Sequence, residues 1–418
     1  MNAQQLDEDI DSIKIAMKDT ENAIKPSEQV IAREIYARLT GVIDPELGKS
    51  ITDLGMVTGV SVENTSAKHY AVKISIELTV PGCPLSEVIR ERIESAVTSY
   101  PDADLSLTLD VGSMGEEKLN HLVAELKAAR RENPFHKPGI KTRVFAIASG
   151  KGGVGKSSVT ANLAATFAAL GYDTAVIDAD IYGFSMPKLL GAHSHPTNLN
   201  GMLMPVEAWG VKVMSIGMFA GSDQAILWRG PRLQRSLEQF LSDVWWGEPD
   251  VLLIDMAPGT GDMAISVAQS LPNAELIVVT TPQPSASDIA VRAGLVALQV
   301  PMDVAGVVEN MSWYDHDGQR LRIFGQGGGQ RVADQLTQQL ETKLGHKVPL
   351  LAQLPLETDV REVGETGRPV VLDEDGQLAS SDLSIRFQEI VQQLMENNQT
   401  EIVTHNEDNE DSEDESHE

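Results

Sequence analysis

The stretch that constrains this chain most is "SGKGGVGKSS", residues 149–158. Gly150 to Ser157 spell G-x-x-x-x-G-K-[ST]. An apolar run, "TRVFAIAS", precedes it, and an apolar helical pattern, "SVTANLAATFAALG", follows. A strand, a glycine-rich turn and a helix in that order form a loop that wraps phosphates. Gly150, Gly152, Gly153 and Gly155, with Val154 among them, let backbone amides approach phosphate oxygens, and the helix N-terminus adds a favourable partial charge. Lys156 is expected to bridge the β- and γ-phosphates, the Ser157 hydroxyl to bind Mg²⁺, and Ser158 to open the helix proper. Lys151 is a second lysine for which the phosphate-loop pattern itself has no use.

A loop of this kind needs a strand buried on both faces, and the chain supplies several. From residue 141 short apolar runs alternate with helical patterns: "TAVIDAD", "VKVMSIG", "DVLLIDM", "ELIVVTTP", "VAGVVEN" and "PLLAQLP". Runs without polar alternation suit a parallel sheet covered on both sides. The expected fold is α/β, a doubly wound, mainly parallel sheet over 141–395. A small α+β domain precedes it over 26–112, read as α-β-β-α-β. A polar helix and a Pro/Gly break over 113–140 link the two.

Two acids follow buried strands near the loop. Asp255, in "LLIDMAPGTGD", ends a strand where a second Mg²⁺ determinant belongs, and Gly259 and Gly261 give the next loop freedom to respond to the γ-phosphate. In "VIDADIYG", Asp178 suits a capping or strand-linking role. Asp180 is the catalytic candidate, placed to orient an attacking water, since phosphoryl transfer relies on positioning and charge.

Formal net charge is −28, concentrated toward an acidic lead, 1–25, and an acidic tail, 396–418, both expected to be disordered. With no long basic patch, nucleic acid is an unexpected partner. No stretch approaches the length of a membrane span, and the N-terminus does not read as a secretory signal, so a cytoplasmic protein with no membrane partner is expected. The single cysteine, Cys83, excludes an intramolecular disulfide.

Taken together, these motifs resemble the deviant-Walker P-loop ATPases, the group of MinD, ParA, nitrogenase iron protein and Mrp. K-G-G-x-G-K-[ST] is the signature. The likeness is strongest to the Mrp/ApbC branch of iron–sulfur cluster carriers, through "DADIYGFSMPKLLG", "WRGP", "DMAPGTGD", "VTTPQ", "ENMSW" and "FGQGGG". The N-terminal unit resembles SufT-like domains through "DPELGKSITDLGMV" and "PGCPLSEVI". The resemblance implies an ATP-hydrolysing homodimer, with Mg²⁺, that binds and transfers iron–sulfur clusters to apoprotein clients or assists their assembly. It gives Lys151 a role, reaching across the dimer to nucleotide in the partner. It also places Asn310 against adenine.

One departure stands out. Typical cluster-carrying members place C-x-x-C between the "NMS" strand and the "FGxGGG" stretch, whereas this chain has "WYDHDGQRLRI". Asp315, His316 and Asp317 could be hard-metal ligands, but a polar hairpin turn is the preferred reading. Cys83, before a helix start, is a cluster-touching or reactive thiol or an inert loop cysteine. "FGQGGG" is a further phosphate loop or a surface loop before a helix. The alternative function is a cluster-free, nucleotide-switched scaffold that recruits partner proteins.

Overall fold

The computed structural model describes residues 26–410 except 46, 67–68, 80–85, 102–103, 129–132, 137–138, 181–182, 220–229, 260–261, 301, 358–362 and 365. The acidic lead, Cys83, Gly261, the first residues of "WRGP" and the last residues of the tail lie outside the described residues. The chain divides into two compact units, Met1–Ala129 and Arg130–Glu418.

In the first unit, helix α1 (Pro26–Leu39) and helix α2 (Ser86–Thr98) carry apolar residues at four-residue spacing. Ile31, Ile35 and Leu39 of α1, and Ile89, Ile93 and Val97 of α2, are all buried. Strand β2 (His69–Leu78) alternates, burying Val72, Ile74, Ile76 and Leu78. It pairs antiparallel with β1 (Val57–Ser66) and parallel with β3 (Asp104–Ser113). This is the expected α-β-β-α-β order, with α2 as the crossover that a parallel pair requires. Helix α3 (Glu116–Ala128) buries Leu122, Val123 and Leu126, and Lys118 Nζ meets Glu77 Oε2 at 2.7 Å, which ties the helix to β2.

The second unit is built on an eight-stranded sheet in the order β15-β12-β11-β4-β10-β5-β9-β8. Its strands are β4 (Arg143–Ala148), β5 (Thr174–Asp178), β8 (Val206–Ala208), β9 (Val211–Ser215), β10 (Val251–Asp255), β11 (Ala274–Thr280), β12 (Asp303–Glu309) and β15 (Leu350–Gln353). All neighbours are parallel except β8 and β9. Alternate residues of one strand enter opposite cores: Val144, Ala146 and Ala148 one, Phe145 and Ile147 the other. The first core is closed by residues of α6 (Gly230–Ser242), α7 (Asp262–Ser270), α8 (Pro284–Gly294) and α9 (Gly328–Leu344). The second is closed by α4 (Lys156–Ala169), α5 (Met186–Leu189) and α10 (Asp382–Glu410).

All seven strands read from apolar runs are present. The edge strand β8 and the small β6–β7 hairpin (Thr197–Leu199, Met202–Met204) were not anticipated, because three-residue strands carry too little pattern. Helix α10 runs past residue 395, the expected domain end, into the stretch expected to be a disordered tail. Trp245 and Trp246 are core residues, with Trp246 Nε1 donating to the Phe240 carbonyl at 2.7 Å.

The topology positions the site. From β4 the chain moves outward to β5 and β9, returns to β10 beside β4, and then crosses to β11 on the other side. The C-terminal end of β4 is therefore the switch point of the sheet, where open α/β folds bind ligands.

Candidate functional site

The phosphate loop occupies that switch point, between β4 and α4. Gly153 and Gly155 both have φ of 84°, a left-handed conformation in which a side chain is strained. Gly155 is the N-cap of α4, and the helix starts at Lys156, earlier than the expected opening at Ser158. Gly150 is required for a different reason. A methyl group there would lie 2.5 Å from the Ile289 carbonyl oxygen and 2.7 Å from the Ala290 nitrogen, because the loop runs directly against the backbone of α8.

Three expected residues are brought together. Lys156 Nζ lies 2.6 Å from Asp255 Oδ1, and Ser157 Oγ donates to Asp255 Oδ2 at 2.6 Å. Thr160 was missed by the sequence reading, although it stands one helical turn after Lys156 on the same face. Its hydroxyl is 2.8 Å from Asp255 Oδ1 and 3.0 Å from the Lys156 carbonyl. Asp255 is fully buried at the end of β10 and reaches one ammonium and two hydroxyls. A carboxylate, a hydroxyl and an ammonium on a glycine-rich helix start are the donor set of a nucleotide-and-Mg²⁺ site, so these residues fit that ligand.

Asp178 pairs in register with Asp255 on the neighbouring strand. Burial, and then the charge of Asp255, push its carboxyl up to about 7. Its partners assign it the linking role: Oδ1 accepts from the Asp180 amide, and Oδ2 from the Ser185 amide, the Met186 amide and Ser215 Oγ. It thus anchors both ends of the loop 179–185 to β9. Asp180 lies in that loop, buried, with Oδ1 accepting from the Gly183 amide at 2.9 Å. Among the described residues no hydrogen bond or ion pair joins the Asp180 side chain to Lys156, Ser157 or Asp255.

Asn310 reaches the loop from the other side. Its Nδ2 donates to the Val154 carbonyl at 2.9 Å, and a methyl on Gly155 would collide with the same amide. Lys151 is exposed. It lines a cavity of about 100 Å³ with Gly152, Gly153, Thr281, Gln283, Met311 and Phe324, among others. The loop after β10 is tied to the phosphate loop by the Gly259 amide, which donates to the Ser149 carbonyl at 2.9 Å.

The segment "WYDHDGQRLRI" is a hairpin, as preferred. Strands β13 (Tyr314–His316) and β14 (Gln319–Leu321) are antiparallel, and Asp317 and Gly318 turn the chain with φ of 48° and 74°. Asp315 accepts from Trp313 Nε1 and from Arg320, whose hydrogen bonds hold its carboxyl below the usual range. Arg320 and Arg386 lie 4.1 and 4.9 Å from the Trp313 ring centre. Among the described residues no group of three or more His, Cys, Asp and Glu could hold a metal ion, and no helix is long and apolar enough to cross a membrane.

Comparison with known proteins matches residues 140–395 to a family described as NUBPL iron-transfer P-loop NTPase. Residues 32–105 match one described as iron-sulfur cluster assembly protein. An "iron-sulfur cluster carrier protein" of Mycobacterium leprae is 46% identical over 342 residues, covering 81% of this chain and 87% of that protein. One of the same name from Bacillus subtilis is 38% identical over 331 residues, covering 78% and 89%. A solved nucleotide-binding protein from Archaeoglobus fulgidus, in complex with ADP, is 32% identical. It covers 55% of this chain and 88% of its own, with a TM-score of 0.46.

Proposed function

Since the chain belongs to the NUBPL iron-transfer P-loop NTPase family, we propose that it is a Mg²⁺-dependent ATPase working as a homodimer in iron–sulfur cluster delivery. The observation that carries the nucleotide part is the convergence of Lys156, Ser157 and Thr160 on Asp255 at the end of the glycine loop. Lys156 and the loop amides would hold the phosphates, and Ser157 and Asp255 the metal ion. When bound, Mg²⁺ would neutralise phosphate charge. Asp180 would orient the attacking water once the 179–185 loop, anchored by Asp178, adjusts around the phosphates. Asn310, already against Val154, would hold adenine through its amide.

Lys151 supports the dimer reading. It is exposed beside the loop, where an ammonium could reach a nucleotide held by a second copy. Charge stabilisation that depends on two copies meeting would make closure and hydrolysis one event.

The cluster is the cargo in this reading, and the relatives called iron-sulfur cluster carrier proteins support it. The ligand set of this chain does not fit an ordinary four-thiolate cluster, because Cys83 is its single cysteine. That observation, with the hairpin between Trp313 and Phe324, favours a second reading: a scaffold that recruits apoprotein clients and assembly partners under nucleotide control without holding a cluster.

Anaerobic reconstitution with iron and sulfide separates the two. A stoichiometric cluster that Cys83→Ser abolishes supports carriage. No cluster, under conditions that load a relative with C-x-x-C, supports the scaffold. Neither result bears on the ATPase, which is tested by phosphate release with and without Mg²⁺.

A further inference from the structure

Glu309, at the end of β12, is fully buried, and three polar groups converge on its carboxyl group. Oε1 accepts from Ser312 Oγ at 2.8 Å and from Gln353 Nε2 at 2.6 Å. Oε2 accepts from the Gly329 amide at 2.6 Å. Gly329 lies in the first turn of α9, where a negative charge is favoured. The glycine run "FGQGGG" is therefore closed by a side-chain oxygen from within the chain. A methyl on Gly328 would lie 2.7 Å from the Thr281 carbonyl oxygen, and one on Gly329 would lie 2.6 Å from Glu309 Cβ. These glycines allow close packing and leave no cradle for an external phosphate at Gly329.

The turn that follows Glu309 is pinned on several sides. The Asn310 amide donates to the Thr280 carbonyl at 2.8 Å. The Leu354 amide donates to the Glu309 carbonyl at 2.8 Å, and the Ser312 amide to the Leu354 carbonyl at 2.9 Å. Between them Met311 takes φ of 55°, a left-handed conformation that an ordinary residue keeps only where its surroundings impose it. The outcome is the placement of Asn310 against Val154, inside the phosphate loop.

We infer that Glu309 is a positioning residue for nucleotide: its carboxylate fixes the 309–312 turn and, through Asn310, the Val154–Gly155 part of the phosphate loop. The inference rests on the nucleotide reading above. Its chemistry requires an oxygen facing Gly329. The Gly329 amide can only donate and must meet an oxygen, whereas the Ser312 hydroxyl, shared with the Glu309 carbonyl at 3.0 Å, and the Gln353 amide can each donate or accept. A glutamine can keep this set, its oxygen on Gly329 and its NH₂ on Ser312 and a turned Gln353, but a side chain without polar atoms leaves the Gly329 amide buried and unpaired.

The experiment is steady-state ATP hydrolysis and ADP calorimetry on the full chain, for wild type, Glu309→Ala, Glu309→Gln, Asn310→Ala and the double variant Glu309→Ala/Asn310→Ala. Lys343→Met is the control. Its ammonium caps the carbonyls of Ala297 and Val300 from the far end of α9, so it loosens the same helix without touching the turn. Glu309→Ala is expected to raise KM and the ADP Kd about tenfold with kcat retained at saturation, and Glu309→Gln to restore most of that loss. The double variant should be little worse than Asn310→Ala alone, because both act through one contact. Lys343→Met should lower the melting temperature and leave KM unchanged. Ser312→Ala, which removes one partner and keeps the Glu309 side chain, should give a smaller KM rise and keeps the test open if Glu309→Ala does not fold. Unmoved KM in the Glu309→Ala and Ser312→Ala variants, or full additivity with Asn310→Ala, overturns the inference while the nucleotide reading stands. A wild type that binds no ADP overturns both.

Discussion

Lys156 and Asp255 form an ion pair of 2.6 Å at the heart of the phosphate loop, with neither side chain more than 5% exposed. The pair makes Lys156 doubly important, as the expected phosphate ligand and as the counter-charge of a buried carboxylate. Lys156→Met should abolish ADP binding in calorimetry. It should also cost about 3–5 kcal/mol in urea unfolding, because it strands a buried charge. A variant that binds ADP as wild type does would remove Lys156 from the site.

Lys151 predicts the opposite pattern. It is exposed, so truncating it strands no buried group. Lys151→Ala should keep its melting temperature and its ADP affinity, and lose turnover together with ATP-dependent dimer formation in light scattering. Normal hydrolysis by a monomeric Lys151→Ala protein would end the two-copy site.

Asp178 predicts a pH dependence. Its carboxyl is raised from 3.8 to about 7 by burial and by Asp255. Between those values the folded chain holds a proton that the unfolded chain has released. The stability this proton contributes is whole below about pH 4, declines as pH rises, and is gone above about pH 7. Asp178→Asn has no such titration. Wild-type stability relative to Asp178→Asn should therefore fall, on the order of a few kcal/mol, between pH 4.5 and pH 8 in urea titrations. A pH-independent difference would place the proton elsewhere.

Gly150 predicts a steric effect. Its methyl group would press on the backbone of α8 rather than on a movable side chain. Gly150→Ala should destabilise by about 1–3 kcal/mol and weaken nucleotide binding. Gly152→Ala, whose nearest neighbour is Pro258 at 3.8 Å, should be much milder in the same unfolding assay.

The sequence made some of this legible and hid the rest for physical reasons. Strands buried on both faces, such as "VFAIA" and "VLLID", announce themselves as apolar runs, and the glycine spacing announces the loop. Asp255 could be chosen because an acid at the end of such a strand must face something polar. Glu309 also ends a buried strand, but its partners Gly329 and Gln353 are distant in the chain, and no spacing rule joins them. Thr160 could have been found by counting one turn from Lys156. The edge strand β8 could not, since three residues carry no period.

The hairpin from Tyr314 to Leu321 has a last consequence. An indole with two guanidinium groups against it and a carboxylate hold its shape, with no sulfur from Trp313 to Phe324. Air, peroxide or a strong reductant would find no thiol to convert there. Whatever docks on this face should recognise the same contour in oxidising and reducing surroundings alike.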